Sequence, residues 1–287
     1  MAVTKIEDGR DGEGRLVYRH GVMTRLTHWL WAISLFFLLL SGLQIFNAHP
    51  KLYLGTQSGF EFDNAVLSMD ALYGPDGQPQ GRTTILGHSF ETTGLFGMSG
   101  PAERPAYRGF PAWATLPSYQ DLATGRVIHF FFAWVLSATL LLWLVSSLVS
   151  GHLRRDLVPS GRDWKALPRS VLDHLRLRLH HDGRYNVLQK LSYAGVLFVL
   201  LPLTVLTGLA MSPTMNAALP VLLDLFGGRQ TARTLHFLCM SALVLFFVVH
   251  IVMVVVAGPL NELRSIVTGW YRTRPLPEAA AKGEDGR

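Results

Sequence analysis

The sequence predicts an all-α membrane protein: a four-transmembrane-helix bundle with a long outer loop between helices one and two and both termini in the cytoplasm. Three observations carry this expectation. Four apolar windows, about 25–46, 127–150, 187–211 and 232–257, are each long enough to cross roughly 30 Å of hydrocarbon. Hydrophobic residues make up 49% of the 287, and the mean hydropathy of +0.26 is too high for an ordinary soluble enzyme. Lys and Arg alternate between segments: five, eight and five in 1–27, 151–186 and 258–287, against five and one in 47–126 and 212–231. Basic residues concentrate on the cytoplasmic side of membrane proteins, which sets the orientation.

The net charge of +6 is therefore a topology signal, with some attraction to anionic lipid headgroups, and not the mark of a nucleic-acid partner. The single Cys239 lies inside the fourth window, so the chain builds no disulfide and no thiolate metal site of its own. The first window is too long for a signal-peptide core and is followed by no small-residue cleavage site; it is expected to stay as a helix.

Residues 1–24 read as a loose, Gly-rich cytoplasmic arm, and 25–257 as one membrane domain. The first helix carries His28 one turn inside its cytoplasmic end, beside Trp29 and Trp31. The outer loop 47–126 holds eleven Gly and seven Pro, too long for a simple connection. Within it Tyr73 to Gly81 reads as a turn between two short strands, and FPAWATLPSYQDLATGR supplies aromatics for an interface with an external partner. His129 stands just inside the outer end of the second helix. The basic inner loop 151–186 contains SVLDHLRLRLHH, which suits an amphipathic helix on the inner leaflet. The third helix contains Pro202 and a local kink is expected there. AALPVLLDLFGG is too short to span, and 258–287 is a cytoplasmic tail.

The fourth helix holds the pattern that organises the rest. His236 and His250 are fourteen residues apart, about 21 Å of helical rise and close to one face. An ionisable residue inside a membrane is costly, so a pair on one stripe points to function rather than packing. His28 lies at the inner depth of His250, and His129 at the outer depth of His236. Two level imidazole pairs suit two haems b, each iron held by two neutral histidines and left with no open position for substrate. His49 is the alternative to His129 as outer ligand. Arg126, Arg229 and Arg233 at the outer level, and Arg25 and Lys190 at the inner, are placed to meet haem propionates; the inner two also suit plain interfacial anchoring. Gly42 in LSGL and Gly208 in LTGL lie at similar outer depth, where a missing side chain admits a macrocycle or, alternatively, a packed helix. Asn186, Gln189, Lys190 and Tyr193 share one face at the inner start of helix three, as a quinone site on the cytoplasmic side requires. His180 and His181, nearby, are candidates for passing protons to it.

On His28, His129, His236 and His250 the chain resembles the cytochrome b subunits of bacterial respiratory oxidoreductases, the four-helix group serving Ni,Fe-hydrogenase, formate dehydrogenase and thiosulfate reductase. FNAHPKLYLG, TTGLFG, FPAWATLPSYQDLATGR and YNVLQK look most like the thiosulfate reductase-type branch. The resemblance implies an electron-transfer subunit in the bacterial inner membrane, with two b haems, linking a quinone pool to a periplasmic redox enzyme, often a molybdopterin enzyme. It implies a subunit and not a stand-alone catalyst. Two other classes compete. A His-using metal or ion transporter would carry acidic residues in its spans, which are almost absent here; a haem-free anchor leaves four level histidines unexplained.

Overall fold

A computed structural model describes residues 6–7, 15–59, 62–74, 77–101, 103–151 and 187–273. Four helices are long and apolar enough to cross a membrane: Val22–Phe46, Leu122–Val149, Lys190–Ala210 and Arg229–Ala257. Their surfaces are inverted relative to a water-soluble bundle. Phe36, Phe131, Trp134, Leu141, Leu245, Phe247 and Val248 are exposed, whereas the small polar Thr27, Ser34, Ser41, Ser147, Thr207 and Thr234 are buried. Lipid is as apolar as leucine, so helices in it pack through small and polar residues and leave the large hydrophobics outside. The buried hydroxyls of Thr27, Ser41 and Thr207 donate to carbonyls one turn back, which keeps them satisfied.

The helix order is α1 (Val22–Phe46), α2 (Leu122–Val149) and a composite α3. In α3, α-helix over Val187–Gly195 passes into π-helix over Val196–Leu200 and returns to α-helix over Leu201–Ala210. The expected kink at Pro202 takes this form: proline lacks an N–H and crowds the carbonyl four residues back, and a π turn absorbs both. Two short helices follow, α4 (Pro213–Ala218) and α5 (Val221–Leu225), where AALPVLLDLFGG was too short to span. The last long helix is α6 (Arg229–Ala257). Gly258, at φ +112, turns the chain sharply into α7 (Pro259–Thr268).

The spans are helical throughout, and among the described residues β-structure lies outside them. The chain divides into two compact units, one of Met1–Trp29, Leu141–Ala194 and Leu245–Arg287, the other of Leu30–Leu140 and Gly195–Val244. In the first, strands β1 (Ile6–Glu7) and β2 (Leu16–Tyr18) belong to an antiparallel sheet completed by Trp270–Arg272, with Val17 opposite Tyr271. An Arg19–Glu262 ion pair at 3.2 Å and an Arg25 hydrogen bond to the Val267 carbonyl at 2.8 Å tie α7 to the start of α1. Part of the arm is thus paired with the start of the tail, where a loose arm was expected. Partners more than 250 residues apart leave no local signal. The amphipathic stretch in 151–186, His180, His181 and Asn186 lie outside the described residues.

In the second unit the segment after α1 forms a four-stranded antiparallel meander, β3 (Lys51–Tyr53), β4 (Ala65–Tyr73), β5 (Pro79–Ile85) and β6 (His88–Glu91). The expected turn at Tyr73–Gly81 is its central hairpin, with Tyr73 opposite Pro79 and Leu67 opposite Ile85. A small pair, β7 (Met98–Ser99) with β8 (Ala106–Tyr107), follows, and Trp270–Arg272 is β9. Leu52 and Met69 of the meander are buried with Phe46 at the end of α1, and Phe96, Phe110 and Phe237 pack around them. Fully burying such side chains is worth about 1.5–3 kcal/mol each. The start of α6 is joined to the same segment by polar bonds. Gln230 and Thr231 donate their N–H groups to the Gly55 carbonyl, and the Thr234 hydroxyl donates to the Tyr53 carbonyl at 2.6 Å. Gly228 has to be glycine: its φ is +113, and a Cβ there would lie 2.6 Å from the Gly55 oxygen. Arg108, 6% exposed, completes the fastening. It donates to the carbonyls of Phe110 and Ser118, to Gln44 Oε1 near the end of α1, and to the Thr115 hydroxyl.

Candidate haem-binding sites

Four of the eleven histidines meet in two facing pairs. In the second unit the rings of His129 (α2) and His236 (α6) have centroids 6.2 Å apart. In the first unit those of His28 (α1) and His250 (α6) are 6.5 Å apart. Two metal–imidazole bonds of about 2 Å, with each ring centroid about 1.2 Å further back, place opposed imidazoles roughly 6.4 Å apart. Both separations fit one metal atom between the rings.

The polar surroundings favour ligation in the second unit. His129 Nδ1 is 3.2 Å from Ser41 Oγ, and the ring also meets the backbone of Leu38. His236 Nδ1 is 3.1 Å from Thr207 Oγ1 and 3.0 Å from the Thr204 carbonyl. The Thr204 carbonyl can only accept, and the Ser41 hydroxyl already donates to the Phe37 carbonyl, so in each ring Nδ1 carries the proton and Nε2 keeps the lone pair a metal needs. In the first unit His28 Nδ1 is buried with no hydrogen-bond partner among the described residues. His28 packs edge-on to Trp29, and His250 stacks on Phe246 at 5.9 Å.

These residues fit haem. Among the described residues no group of three or more His, Cys, Asp or Glu could hold a metal ion. A bare zinc or copper site wants three or four protein ligands, whereas a porphyrin supplies four nitrogens itself and asks the protein for two. Haem bound here would supply a reversible one-electron couple. Each facing pair, His28 with His250 and His129 with His236, would offer such a group two imidazoles.

Both glycines lie against one of the facing imidazoles. A Cβ on Gly42 would stand 3.2 Å from His129 Cε1, and one on Gly208 3.3 Å from His236 Cε1. Each missing Cβ lets an imidazole come close to the helix backbone. Sequence reasoning noted LSGL and LTGL for their glycines and missed the hydroxyls. The residue just before each glycine, Ser41 or Thr207, is the one that touches the ligand.

The basic candidates are dispersed. Arg233 donates to the His49 carbonyl and lies over the Phe46 ring at 5.5 Å, one turn from His236. Arg126 lies over the Phe130 ring at 5.6 Å, one turn from His129. Arg25 bonds the Val267 carbonyl through one terminal nitrogen, and its Nε is buried without a partner among the described residues. Arg229 opens α6. Lys190 and Tyr193 are half-buried within Val187–Gly195; the side chain of Gln189 lies outside the described residues. His49 is occupied elsewhere: Nε2 is 3.0 Å from the Tyr53 hydroxyl and the rings stack. Burial, then the Arg233 and Lys51 charges, hold its pKa below the ordinary value, so it is a neutral hydrogen-bonding group near pH 7. His129 is the ring that faces His236.

Apolar spans around facing imidazole pairs define a multi-pass membrane haem protein of the electron-transfer kind. The family described as prokaryotic cytochrome b561 matches residues 19–269, and the chain belongs to that family. It is a cytochrome b-type membrane subunit for electron transfer, and haem b is its cofactor class. A relative from Azospira oryzae, a putative protein-methionine-sulfoxide reductase subunit YedZ1, is 34% identical over 128 residues. That match covers 44% of this chain and 62% of the relative, less than two thirds of the relative's length. No solved structure matches the chain.

Proposed function

We propose that the chain carries two b haems, one between His28 and His250 toward the cytoplasm and one between His129 and His236 toward the periplasm. On this reading it passes electrons across the bacterial inner membrane between a quinone pool and a periplasmic oxidoreductase. The observation that carries it is the pair of imidazole separations, 6.2 and 6.5 Å, both at the spacing one iron requires. Their positions on α6, fourteen residues apart, correspond to roughly 21 Å of helical rise, so each site belongs to one leaflet. The excess of Lys and Arg in 1–27, 151–186 and 258–287 supports the orientation.

The relative's name supports a reductase as the partner, and the family resemblance supports a molybdopterin enzyme among the candidates. The docking surface belongs to the β-rich segment between α1 and α2. Trp113 and Tyr119 there are 78% and 65% exposed, and exposed aromatics are the anchors interfaces use. Replacing both by Ala is expected to slow electron transfer with the native partner at least tenfold and leave haem content unchanged. Unaltered transfer would make the segment only a cover.

Quinone reduction takes up protons with its electrons, so the exchange site needs amide, phenol or amine groups at the membrane edge. Asn186, Gln189, Lys190 and Tyr193 supply them near the start of α3. Changing Asn186 and Gln189 to Leu is expected to slow quinol-driven haem reduction by an order of magnitude or more at full haem content. An unchanged rate would move the site to the other face, beside His49.

A further inference from the structure

We propose that Ser41 and Thr207 are a matched pair of positioning residues that accept from the outer haem ligands and make the outer haem the lower-potential of the two. This rests on the dihaem reading and adds an ordering to it.

The pairing is built twice from one local plan. On α1 the backbone of Leu38, the hydroxyl of Ser41 and the bare Cα of Gly42 all meet His129. On α3 the carbonyl of Thr204, the hydroxyl of Thr207 and the bare Cα of Gly208 all meet His236. In both helices the three positions are n, n+3 and n+4, which one helix face brings together. Both hydroxyl-bearing residues are 0% exposed.

The hydroxyl protons are already committed. Ser41 Oγ donates to the Phe37 carbonyl at 2.6 Å, and Thr207 Oγ1 donates to the Leu203 carbonyl at 2.8 Å. Each oxygen therefore faces its imidazole with lone pairs only and accepts from Nδ1–H. At His236 a second acceptor, the Thr204 carbonyl, shares the same proton. Drawing that proton away raises the basicity of the ring and its donation through Nε2, which favours the ferric state. Low local dielectric strengthens the effect. The glycine next to each hydroxyl lets the ring come close enough for the bond: a Cβ would already stand at 3.2–3.3 Å from Cε1.

The other pair lacks this support. His28 Nδ1 is buried and unpartnered among the described residues, and His250 has ring contacts but no hydrogen bond among them. With its ligands less basic, the inner haem holds its electron more tightly.

The test is potentiometric titration of the purified full chain, followed by visible and low-spin EPR spectra. In the wild type the wave lost in His236→Ala should be the lower of two. In a His250→Ala background, which isolates the outer haem, Ser41→Ala and Thr207→Val should each raise its midpoint and shift its EPR g-values. The double change should raise it further, and Ser41→Thr and Thr207→Ser should restore wild-type values. If the alanine or valine variants shed haem while the hydroxyl swaps keep it at wild-type potential, the hydroxyl is again the determinant. An unmoved midpoint at full haem content overturns the proposal, as does haem loss in the swaps, which would make side-chain size the determinant. A His236→Ala wave that is the higher of the two also overturns it. Failure of the dihaem reading looks different: His236→Ala would then remove no haem at all.

Discussion

His236→Ala is expected to remove one haem and to abolish electron transfer between quinol and the periplasmic partner, the largest functional loss any single change in the chain should produce. The ring it removes is held from three sides, by His129 across the site, by the Thr204 carbonyl and by the Thr207 hydroxyl. Alanine leaves those acceptors in place with nothing to bind and leaves His129 with no imidazole facing it. One imidazole holds b haem weakly and leaves the iron open, so any residual haem should be high-spin. Haem between His28 and His250 should remain and stay reducible by quinol. Its presence separates loss of a ligand from loss of the fold. Retention of both haems with full transfer to the partner would put the outer ligand elsewhere.

Arg108→Ala is expected to give the largest loss of stability. The guanidinium is buried, burial pulls its pKa down, and its four hydrogen bonds all go to neutral acceptors, two carbonyls, an amide and a hydroxyl. Truncation deprives Gln44 Oε1 and the Ser118 carbonyl of this donor, at about 1–3 kcal/mol each, and opens a cavity, while the Phe110 carbonyl keeps its bond from Asn47 Nδ2. The bond to Gln44 joins the β-rich segment to α1, so the loss should appear first as proteolysis between 47 and 121. Arg108→Lys should recover only part of it, since an ammonium cannot reproduce a planar fork reaching four acceptors. Thermal unfolding in detergent with limited proteolysis measures both, and a wild-type profile for the alanine variant would remove Arg108 from the account.

The membrane spans were legible because a bilayer imposes a length and a polarity that few other structures meet. Their starts were less so. The window at 127 opens as a helix at Leu122, because Asp121 caps it: its carboxylate accepts from the Thr124 N–H, and that bond holds its pKa below the usual range. The Asp-x-x-Thr spacing carried that signal, but a hydropathy window discards it. The pairing of His28 with His250 and His129 with His236 was readable from depth alone, since a helix converts residue number into height. The hydroxyl acceptors were not, because LSGL and LTGL look alike for many reasons, and only the neighbouring helix tells which atom they meet. The meander after α1 was seen only at its turn. Its strands bury few side chains, with β6 wholly exposed, and so alternate weakly. The β2–β9 pairing has no local signature, whereas α7 carries Pro259 at its start and Gly269 just past its end.

The most direct measurement of the central claim is haem per chain in the purified full-length protein, by pyridine haemochrome against quantitative amino-acid analysis, with EPR for ligation. The account predicts two non-covalent b haems per chain, both low-spin with bis-imidazole g-values. One haem, none, or a high-spin five-coordinate signal in the intact protein would contradict it.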